Sequence, residues 1–140
     1  MSRPAPKVVL DASAIVAWVM KEQGYEVVDR LLAFSIVPAS VLTETLYRSA
    51  ARGHRRTITE LYQALLVVGI TVEAVTETDA VRAGVLIAWS QSQDRDALNR
   101  SLSLGDGQCI AVAERVGLPV VGGDDYWSSV PMGVEYVPFR

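Results

Sequence analysis

A run of three apolar residues, Val8, Val9 and Leu10, leads directly into the acidic residue Asp11. A short, wholly apolar run that contains β-branched residues and stops at a turn signal is typical of a strand buried on both faces. Such burial is a property of parallel sheets, because crossover helices cover both of their faces. Ligands of open parallel sheets bind just beyond the carboxyl ends of the strands, so Asp11 is the first candidate site residue.

Strands and helices alternate along the rest of the chain, which favours an α/β fold with a largely parallel central sheet flanked by helices. At 140 residues, the chain is expected to form a single domain over 1–140, with 1–6 as a flexible lead-in. Further strands are predicted at residues 35–38, 70–75, 118–121 and 134–137. A helix is predicted directly after Asp11, and others at residues 25–34, 40–53, 59–68, 78–90 and 104–116.

Two of these helices carry specific expectations about their ends and faces. Ser40 is predicted to cap the helix over 40–53, which puts Glu44 near its first turn, where the helix dipole favours negative charge. The helix over 78–90 is expected to pack through its small and β-branched side chains. These are Ala80, Val81, Gly84, Val85 and Ala88.

The composition argues against several classes of protein. Half of the residues are apolar and 21% are charged, which is typical of a folded globular domain. The net charge of −3 argues against a dedicated double-stranded DNA binder, because such proteins gain affinity by neutralising phosphates. The single cysteine, Cys109, cannot form a disulfide within the chain, and no apolar run approaches the roughly 20 residues that cross a bilayer. A cytoplasmic location without membrane contact is therefore expected.

Four acidic residues are predicted to reach the same edge of the sheet. Asp11 and Asp124 follow strands, while Glu44 and Asp106 lie near the N-terminal ends of helices that begin at that edge. Each alone has an ordinary explanation as a helix cap, a turn residue or a solvent-facing charge. Converging carboxylates must share protons or bind a cation, because two unit charges ~4 Å apart repel by about 4 kcal/mol at an effective dielectric constant of 20. An all-oxygen site suits Mg²⁺ or Mn²⁺ and argues against zinc.

With these acids in place, the sequence resembles the PIN-domain nucleases and, among them, the VapC-type toxins of bacterial toxin–antitoxin pairs. Four motifs carry the resemblance, in the family's order and at its approximate spacing. They are VLDASA at 9–14, PASVLTE at 38–44 running on into LYR at 46–48, LSLGD at 102–106 before a helix of small residues, and LPVVGGD at 118–124.

The resemblance implies a PIN-like fold and a Mg²⁺-dependent endoribonuclease that hydrolyses RNA phosphodiester bonds with metal-activated water. Asp11, Glu44, Asp106 and Asp124 would then be the metal-binding acids. Ser13 matches a small polar position that supports the site in the family. The family also implies a homodimer and a cognate antitoxin whose tail blocks the cleft.

The last motif departs from the family pattern at two positions. Many relatives carry a hydroxyl residue two positions before the last acid, where this chain has Gly122. A second acid, Asp125, stands beside Asp124 at a position that is often basic or polar in relatives. Asp124 aligns with the motif and is the expected metal-facing residue of the pair. Both departures could weaken metal affinity without abolishing the site.

A basic cluster follows the second motif. Its arginines are predicted to contact either an RNA backbone or an acidic antitoxin segment, and the alternative is that they complement a helix dipole and face solvent. His54, the only histidine of the chain, is expected to be solvated in a polar turn, which argues against a histidine-based hydrolase. The arginines are Arg48, Arg52, Arg55 and Arg56.

Two other functional classes compete with a nuclease. Aspartyl-phosphate phosphatases also place an aspartate after their first strand, but their chemistry usually needs a second acid two residues later, where this chain has Ser13. The other alternative is a catalytically lapsed PIN-like module that acts through protein binding, which the glycine at position 122 favours.

Overall fold

The structure is a computed structural model that describes residues 4–94 and 99–140. Its centre is a five-stranded sheet with the order β3-β2-β1-β4-β5, in which every pair of neighbours is parallel. The α/β class and the parallel sheet predicted from the sequence are therefore confirmed. The strands are β1 (Val8–Leu10), β2 (Ser35–Pro38), β3 (Thr71–Glu73), β4 (Val120–Gly122) and β5 (Tyr136–Pro138).

Within residues 4–94 and 99–140, six α-helices connect and cover the strands, and two short 3₁₀ helices lie between them. None of the helices in the described residues is both long and apolar enough to cross a membrane. The predicted lead-in begins outside the described residues, and Pro4–Pro6 are exposed and belong to no helix or strand. The helices are α1 (Ala12–Met20), α2 (Tyr25–Asp29), α3 (Ala39–Ala51), α4 (Ile58–Val67), α5 (Glu77–Ser92) and α6 (Leu104–Val116), with 3₁₀ helices at Leu32–Phe34 and Asp125–Ser129.

Strand β1 occupies the middle of the sheet, as its uninterrupted apolar sequence predicts. Val9 and Leu10 are completely buried, because helices cover both faces of the sheet at this point. Val9 aligns with Ile36 of β2 on one side, and Leu10 aligns with Val121 of β4 on the other. Strands β1 and β4 therefore end side by side, which brings the segments that follow them to one place on the carboxyl edge.

Several element boundaries differ from the sequence predictions. The predicted helix over 25–34 is divided into α2 and a 3₁₀ helix, and the Phe34 carbonyl at its end accepts the Lys7 N–H (2.8 Å) where β1 meets β2. Helix α3 begins at Ala39 with Pro38 at the N-cap, so Ser40 is not the cap that the sequence suggested. Glu44 consequently lies in the second turn of α3 rather than near the first.

The predicted packing face of α5 is wrong. Val81 and Val85 are 67% and 53% exposed, whereas Asp79, Ala83, Leu86 and Ser90 are buried. Two of these buried residues are polar, and their hydrogen bonds to Arg115 (3.0 Å) and to the Leu102 N–H (2.8 Å) make burial tolerable. A hydrophobicity pattern cannot identify buried polar residues, so it predicts the wrong packing face for α5. In the polar segment over 91–103, the first two residues belong to α5 and residues 95–98 lie outside the described residues.

Candidate active site

The four acids predicted from the sequence line one cavity of about 400 Å³ at the carboxyl edge of the sheet. Asp11 directly follows β1, and Asp124 lies two residues beyond β4. Glu44 comes from α3, and Asp106 comes from the first turn of α6. Four separate elements thus deliver carboxylates to one place. The cavity is lined by Asp11, Ser13, Glu44, Arg48, Arg100, Asp106, Gly123, Asp124, Asp125 and Arg140.

Asp11 is the most enclosed of the four acids, with only 7% of its surface exposed. It is the N-cap of α1, and its Oδ2 accepts hydrogen bonds from the Ser13 hydroxyl (2.9 Å) and the Ser13 N–H (3.4 Å). Burial and the nearby Asp106 charge raise the pKa of Asp11 to about 7, although the hydrogen bond from Ser13 acts in the opposite direction. At neutral pH this carboxyl group is therefore poised between its two protonation states.

Ser13 joins the two neighbouring strand ends. While its hydroxyl donates to Asp11, its Oγ accepts a hydrogen bond from the Gly123 N–H at 3.0 Å. The loop after β4 is thereby held against the start of α1. Ser13 thus occupies a supporting position between Asp11 and the loop that carries Asp124.

Asp106 is both part of a helix cap and part of the cavity. Its carboxylate Oδ2 accepts the Ser103 N–H (2.9 Å), and the Ser103 Oγ accepts the Asp106 N–H (3.1 Å), which completes a capping box at the start of α6. Burial raises the pKa of Asp106, and the charges of Glu44 and Asp124 add to this, against the lowering effect of the Ser103 hydrogen bonds. The ordinary explanation that Asp106 is itself an N-cap is wrong, since Ser103 occupies that position.

Glu44 reaches into the cavity beside a glycine that leaves room for it. Its Oε2 pairs with Arg48, one turn later on α3, at 2.9 Å. A Cβ atom at Gly105 would lie 2.7 Å from the Glu44 Oε1, which is closer than such contacts occur. A side chain at position 105 would displace the Glu44 carboxylate, so Gly105 leaves that carboxylate room in its present position.

Asp124 is the more enclosed member of the acidic pair after β4, with 41% of its side chain exposed compared with 84% for Asp125. Its Oδ1 accepts hydrogen bonds from the Tyr126 N–H (3.0 Å) and from Arg100 (3.3 Å). Its backbone carbonyl accepts the Tyr136 hydroxyl at 2.7 Å. Asp125 also pairs with Arg100. The two acids therefore share one arginine at the mouth of the cavity.

Gly122 has a steric explanation that the sequence did not reveal. A Cβ atom at this position would lie 3.3 Å from the ring and hydroxyl of Tyr136 and 3.6 Å from the Asp11 Cβ. The aromatic side chain of Tyr136 thus fills the space beside position 122. Burial, followed by the Asp11 and Asp124 charges, raises the pKa of Tyr136 well above its usual value, so its hydroxyl stays protonated and can donate to Asp124.

The predicted basic cluster is divided between two places. Arg48 lines the acidic cavity, whereas Arg55 and Arg56 line a separate groove of about 750 Å³. Arg52 lies at the C-cap of α3 and pairs with Glu22. The groove is lined by Trp18, Val19, Met20, Lys21, Tyr25, Asp29, Gly53, His54, Arg55, Arg56 and Leu61.

A comparison with models of protein families finds one decisive match. Residues 8–131 match the PIN domain model, and this range contains all four motifs. The chain belongs to the PIN domain family. The PIN-like fold expected from the resemblance is thereby confirmed, and the four acids of the cavity lie within the matched residues.

Solved structures of other proteins have a similar fold. VapC20 of Mycobacterium tuberculosis, described as a sarcin-ricin loop cleaving toxin, is 20% identical with a TM-score of 0.67, over 90% of this chain and 96% of that one. A chain of the DNA-bound VapBC from Salmonella typhimurium is 15% identical with a TM-score of 0.71, over 96% and 99%. A chain of FitAcB from Neisseria gonorrhoeae is 16% identical with a TM-score of 0.62, over 93% and 96%. Comparison with curated protein sequences gives no match.

The four acids of this PIN domain offer the oxygen ligands that a hard divalent cation prefers, but their carboxylates do not surround one point. The four acids offer only oxygen ligands, and Gly105 keeps space for the Glu44 carboxylate. Across residues 4–94 and 99–140, no group of three or more histidine, cysteine or acidic side chains has the spacing of a metal site. Each carboxylate is instead hydrogen-bonded to a neighbouring residue: Asp11 to Ser13, Glu44 to Arg48, Asp106 to Ser103 and Asp124 to Arg100. Side-chain rotations would be needed to assemble the ligands.

Three residues at the cavity were not predicted from the sequence. Arg100 lies in a polar stretch without regular periodicity, and Arg140 is the last residue of the chain. Tyr136 belongs to β5 and reaches the site only because β5 pairs with β4. A signal was available for Arg140 and Tyr136, because an edge strand beside β4 must end at the same carboxyl edge as β1.

Proposed function

We propose that this PIN domain is a Mg²⁺-dependent endoribonuclease toxin of a VapBC-type toxin–antitoxin pair. The observation that carries the proposal is the convergence of Asp11, Glu44, Asp106 and Asp124 from four separate elements on one cavity. Helix caps and turns do not require their acids to meet. A cluster of carboxylates in which burial and like charge raise two of the pKa values is characteristic of a functional site.

The four acids are the proposed ligands of Mg²⁺, with Mn²⁺ as an alternative. When bound, such an ion would neutralise the carboxylates, polarise phosphoryl oxygens and activate water for phosphodiester hydrolysis. Asp11 would contribute most in its ionised form, and the Ser13 hydroxyl already stabilises that form by donating to Oδ2. The capping box at Ser103 orients Asp106 in the same manner.

The arginines of the cavity suit a polyanionic substrate. Arg48, Arg100 and Arg140 place positive charge around the acids, and guanidinium groups bind phosphate oxygens with paired hydrogen bonds. This combination of acids and arginines in one cavity suits cleavage within an RNA backbone. It also explains how a protein with a net charge of −3 could bind RNA.

The proposed partner is a cognate antitoxin, and the proposed assembly is a homodimer acting in the cytoplasm. One structure of similar fold is described as a toxin–antitoxin complex from Klebsiella pneumoniae. Others are VapBC2 from Rickettsia felis, bound to a DNA fragment from its promoter, and VapBC-1 from nontypeable Haemophilus influenzae. The groove beside Arg55 and Arg56 combines apolar and basic side chains, which suits an acidic segment of a protein better than phosphates alone.

RNA cleavage by the purified chain without antitoxin tests the activity. Cleavage of a structured RNA should require Mg²⁺ or Mn²⁺, stop with EDTA and fall at least about a hundredfold in Asp11→Asn. Glu26→Gln, an exposed carboxylate on α2 outside both cavities, is the matched control and should cleave like the wild type. Metal-independent cleavage, or full activity in Asp11→Asn, would contradict the proposal.

A catalytically lapsed module is the second candidate. It is favoured by the engagement of Glu44 by Arg48 and of Asp124 by Arg100, which leaves the described carboxylates without metal-site spacing. Calorimetric titration with Mn²⁺ separates the two candidates. No heat of binding at millimolar Mn²⁺ would favour the lapsed module, whereas saturable binding that Asp11→Asn weakens would favour the nuclease.

A further inference from the structure

Arg100 lies inside the acidic cavity and contacts two acids at once. Its guanidinium donates to the Asp124 Oδ1 at 3.3 Å and pairs with Asp125. It also lies over the ring of Tyr126, with 5.8 Å between the guanidinium carbon and the ring centroid. Arg100 therefore contacts Asp124, a proposed metal ligand, within the cavity that both residues line.

The position of Arg100 is fixed by buried contacts close to it in sequence and in space. Two residues later, the Leu102 N–H donates to the buried Ser90 Oγ at 2.8 Å, and the Leu102 side chain is itself buried. The same Ser90 Oγ lies 3.0 Å from the Tyr126 hydroxyl, which orients the ring under the guanidinium. Arg100 therefore contacts the two acids from a position next to buried residues.

Arg100 and a divalent cation compete for the same carboxylate. Both are attracted to Asp124, and the arginine must release Oδ1, or share it, when a cation binds there. Asp125 differs from Asp124 because its side chain is largely exposed. A cation in the cavity should therefore compete with Arg100 less strongly for Asp125 than for Asp124. Asp125 can therefore keep the arginine at the cavity mouth after Asp124 has left it.

We propose that Arg100 is a phosphate-binding residue that occupies Asp124 before a cation arrives, and that Asp125 is the positioning residue that then holds Arg100 at the cavity mouth. The proposal rests on the proposed nuclease function for the identity of the phosphate. A guanidinium has five N–H donors in a fixed fork, so it can keep Asp125 while it binds a phosphate oxygen. In this proposal Asp125, the second acid after β4 and a departure from the family pattern, has the role of positioning Arg100.

Titration with Mn²⁺ alone tests the competition without any substrate. Arg100→Gln removes the positive charge while keeping most of the side-chain stem, and should tighten Mn²⁺ binding about fivefold. Arg100→Lys should bind Mn²⁺ like the wild type, because the charge remains. Arg30→Gln, an exposed arginine at the end of α2 that lines neither cavity, is the matched control and should change nothing. Circular dichroism spectra of all variants establish that they are folded.

RNA cleavage kinetics test the second half of the proposal. Arg100→Gln should raise the KM for RNA about tenfold in saturating Mn²⁺, since a charge-assisted hydrogen bond to phosphate is lost. Asp125→Asn should also raise KM but should not tighten Mn²⁺ binding, and Asp125→Glu should restore KM. The opposite signs for metal affinity and RNA affinity in Arg100→Gln cannot arise from a merely structural role.

The two arms distinguish failure of this proposal from failure of the proposed function. Unchanged or weaker Mn²⁺ binding in Arg100→Gln overturns the competition, whether or not the protein cleaves RNA. A wild-type protein that binds Mn²⁺ but leaves RNA intact contradicts the nuclease, while the Mn²⁺ arm still decides the competition. A KM unchanged in both Arg100→Gln and Asp125→Asn overturns the phosphate-binding role.

Discussion

Replacing Asp11 by asparagine should stabilise the metal-free protein at high pH. Asp11 is buried, and its pKa is raised from 3.8 to about 7 by burial and by the neighbouring Asp106 charge. Asparagine keeps an oxygen that can accept from Ser13 and is as good an N-cap as aspartate. The substitution therefore removes the charge while retaining the start of α1.

The magnitude and the sign follow from the two pKa values. Between pH 3.8 and about 7, the folded state binds the proton that the unfolded state has released, so stability falls as the pH rises through this window. Each unit of difference between the folded and unfolded pKa values contributes about 1.4 kcal/mol, so the free energy of unfolding falls by at most about 4 kcal/mol. Near pH 4, wild type and Asp11→Asn should unfold at similar denaturant concentrations. Above pH 7, the asparagine variant should be the more stable by up to that amount.

Urea unfolding in EDTA, followed by circular dichroism at several pH values, measures this difference. Asp79→Asn is a matched control with the opposite sign, because Asp79 is also buried. Although burial raises its pKa, hydrogen bonds from Arg115 and Thr76 lower it below the usual value. Its stabilising contribution should be present at neutral pH and should be lost as the pH falls through the lowered pKa. Asp79→Asn should therefore destabilise the protein at neutral pH.

One result would refute this reasoning about Asp11. If the wild type were as stable at pH 8 as at pH 5 in the absence of divalent ions, the buried carboxyl group would not carry the free-energy cost assigned to it. The same conclusion would follow if Asp11→Asn showed the same pH dependence as the wild type. Adding Mn²⁺ to the wild type at pH 8 should raise the melting temperature, and should do so less in the variant.

Three further substitutions test the geometry around the cavity. Gly105→Ala should weaken Mn²⁺ binding about tenfold in calorimetry, because its Cβ displaces the Glu44 carboxylate, and an unchanged affinity would refute that placement. Gly122→Thr should lower the free energy of unfolding by about 1–3 kcal/mol in urea titrations, because Tyr136 fills the space, and a stability equal to wild type would contradict the steric argument. Thr45→Val should be neutral or stabilising by up to about 1 kcal/mol, since the buried Thr45 hydroxyl has no hydrogen-bond partner in the described part of the chain, and a loss of stability would reveal a partner.

The convergence of the acids could be anticipated because it depends on chain direction alone. Once β1 and β4 are parallel neighbours, the residues that follow them must reach the same edge of the sheet. Asp11 and Asp124 meet for that reason. Asp106 and Glu44 come from helices that begin at this edge, Asp106 in the first turn of α6 and Glu44 in the second turn of α3. Their roles as metal ligands stay a prediction.

The contacts between side chains could not be anticipated, because they depend on distances between elements. The close approach of Gly105 to Glu44 depends on how α3 and α6 lie beside each other, which no local pattern encodes. The same is true of α5, whose buried residues Asp79 and Ser90 are polar and are satisfied by partners distant in sequence. Hydrophobic periodicity describes transfer from water, and it carries no information about hydrogen bonds that offset burial.

The ordinary explanations of the acids and their functional explanation are parts of one arrangement. Asp11 is the N-cap of α1, Asp106 completes the capping box of α6, and Asp124 is the N-cap of the 3₁₀ helix after β4. A helix N-terminus stabilises a negative charge by about 0.3–1 kcal/mol, which explains why each acid is tolerated alone. Capping relieves only part of the cost at Asp11, because its pKa stays raised to about 7 even with the Ser13 hydrogen bond acting to lower it. The remaining cost is at most about 4 kcal/mol. A cation bound by the proposed ligands would offset this cost, which predicts that the metal-free protein is the less stable form.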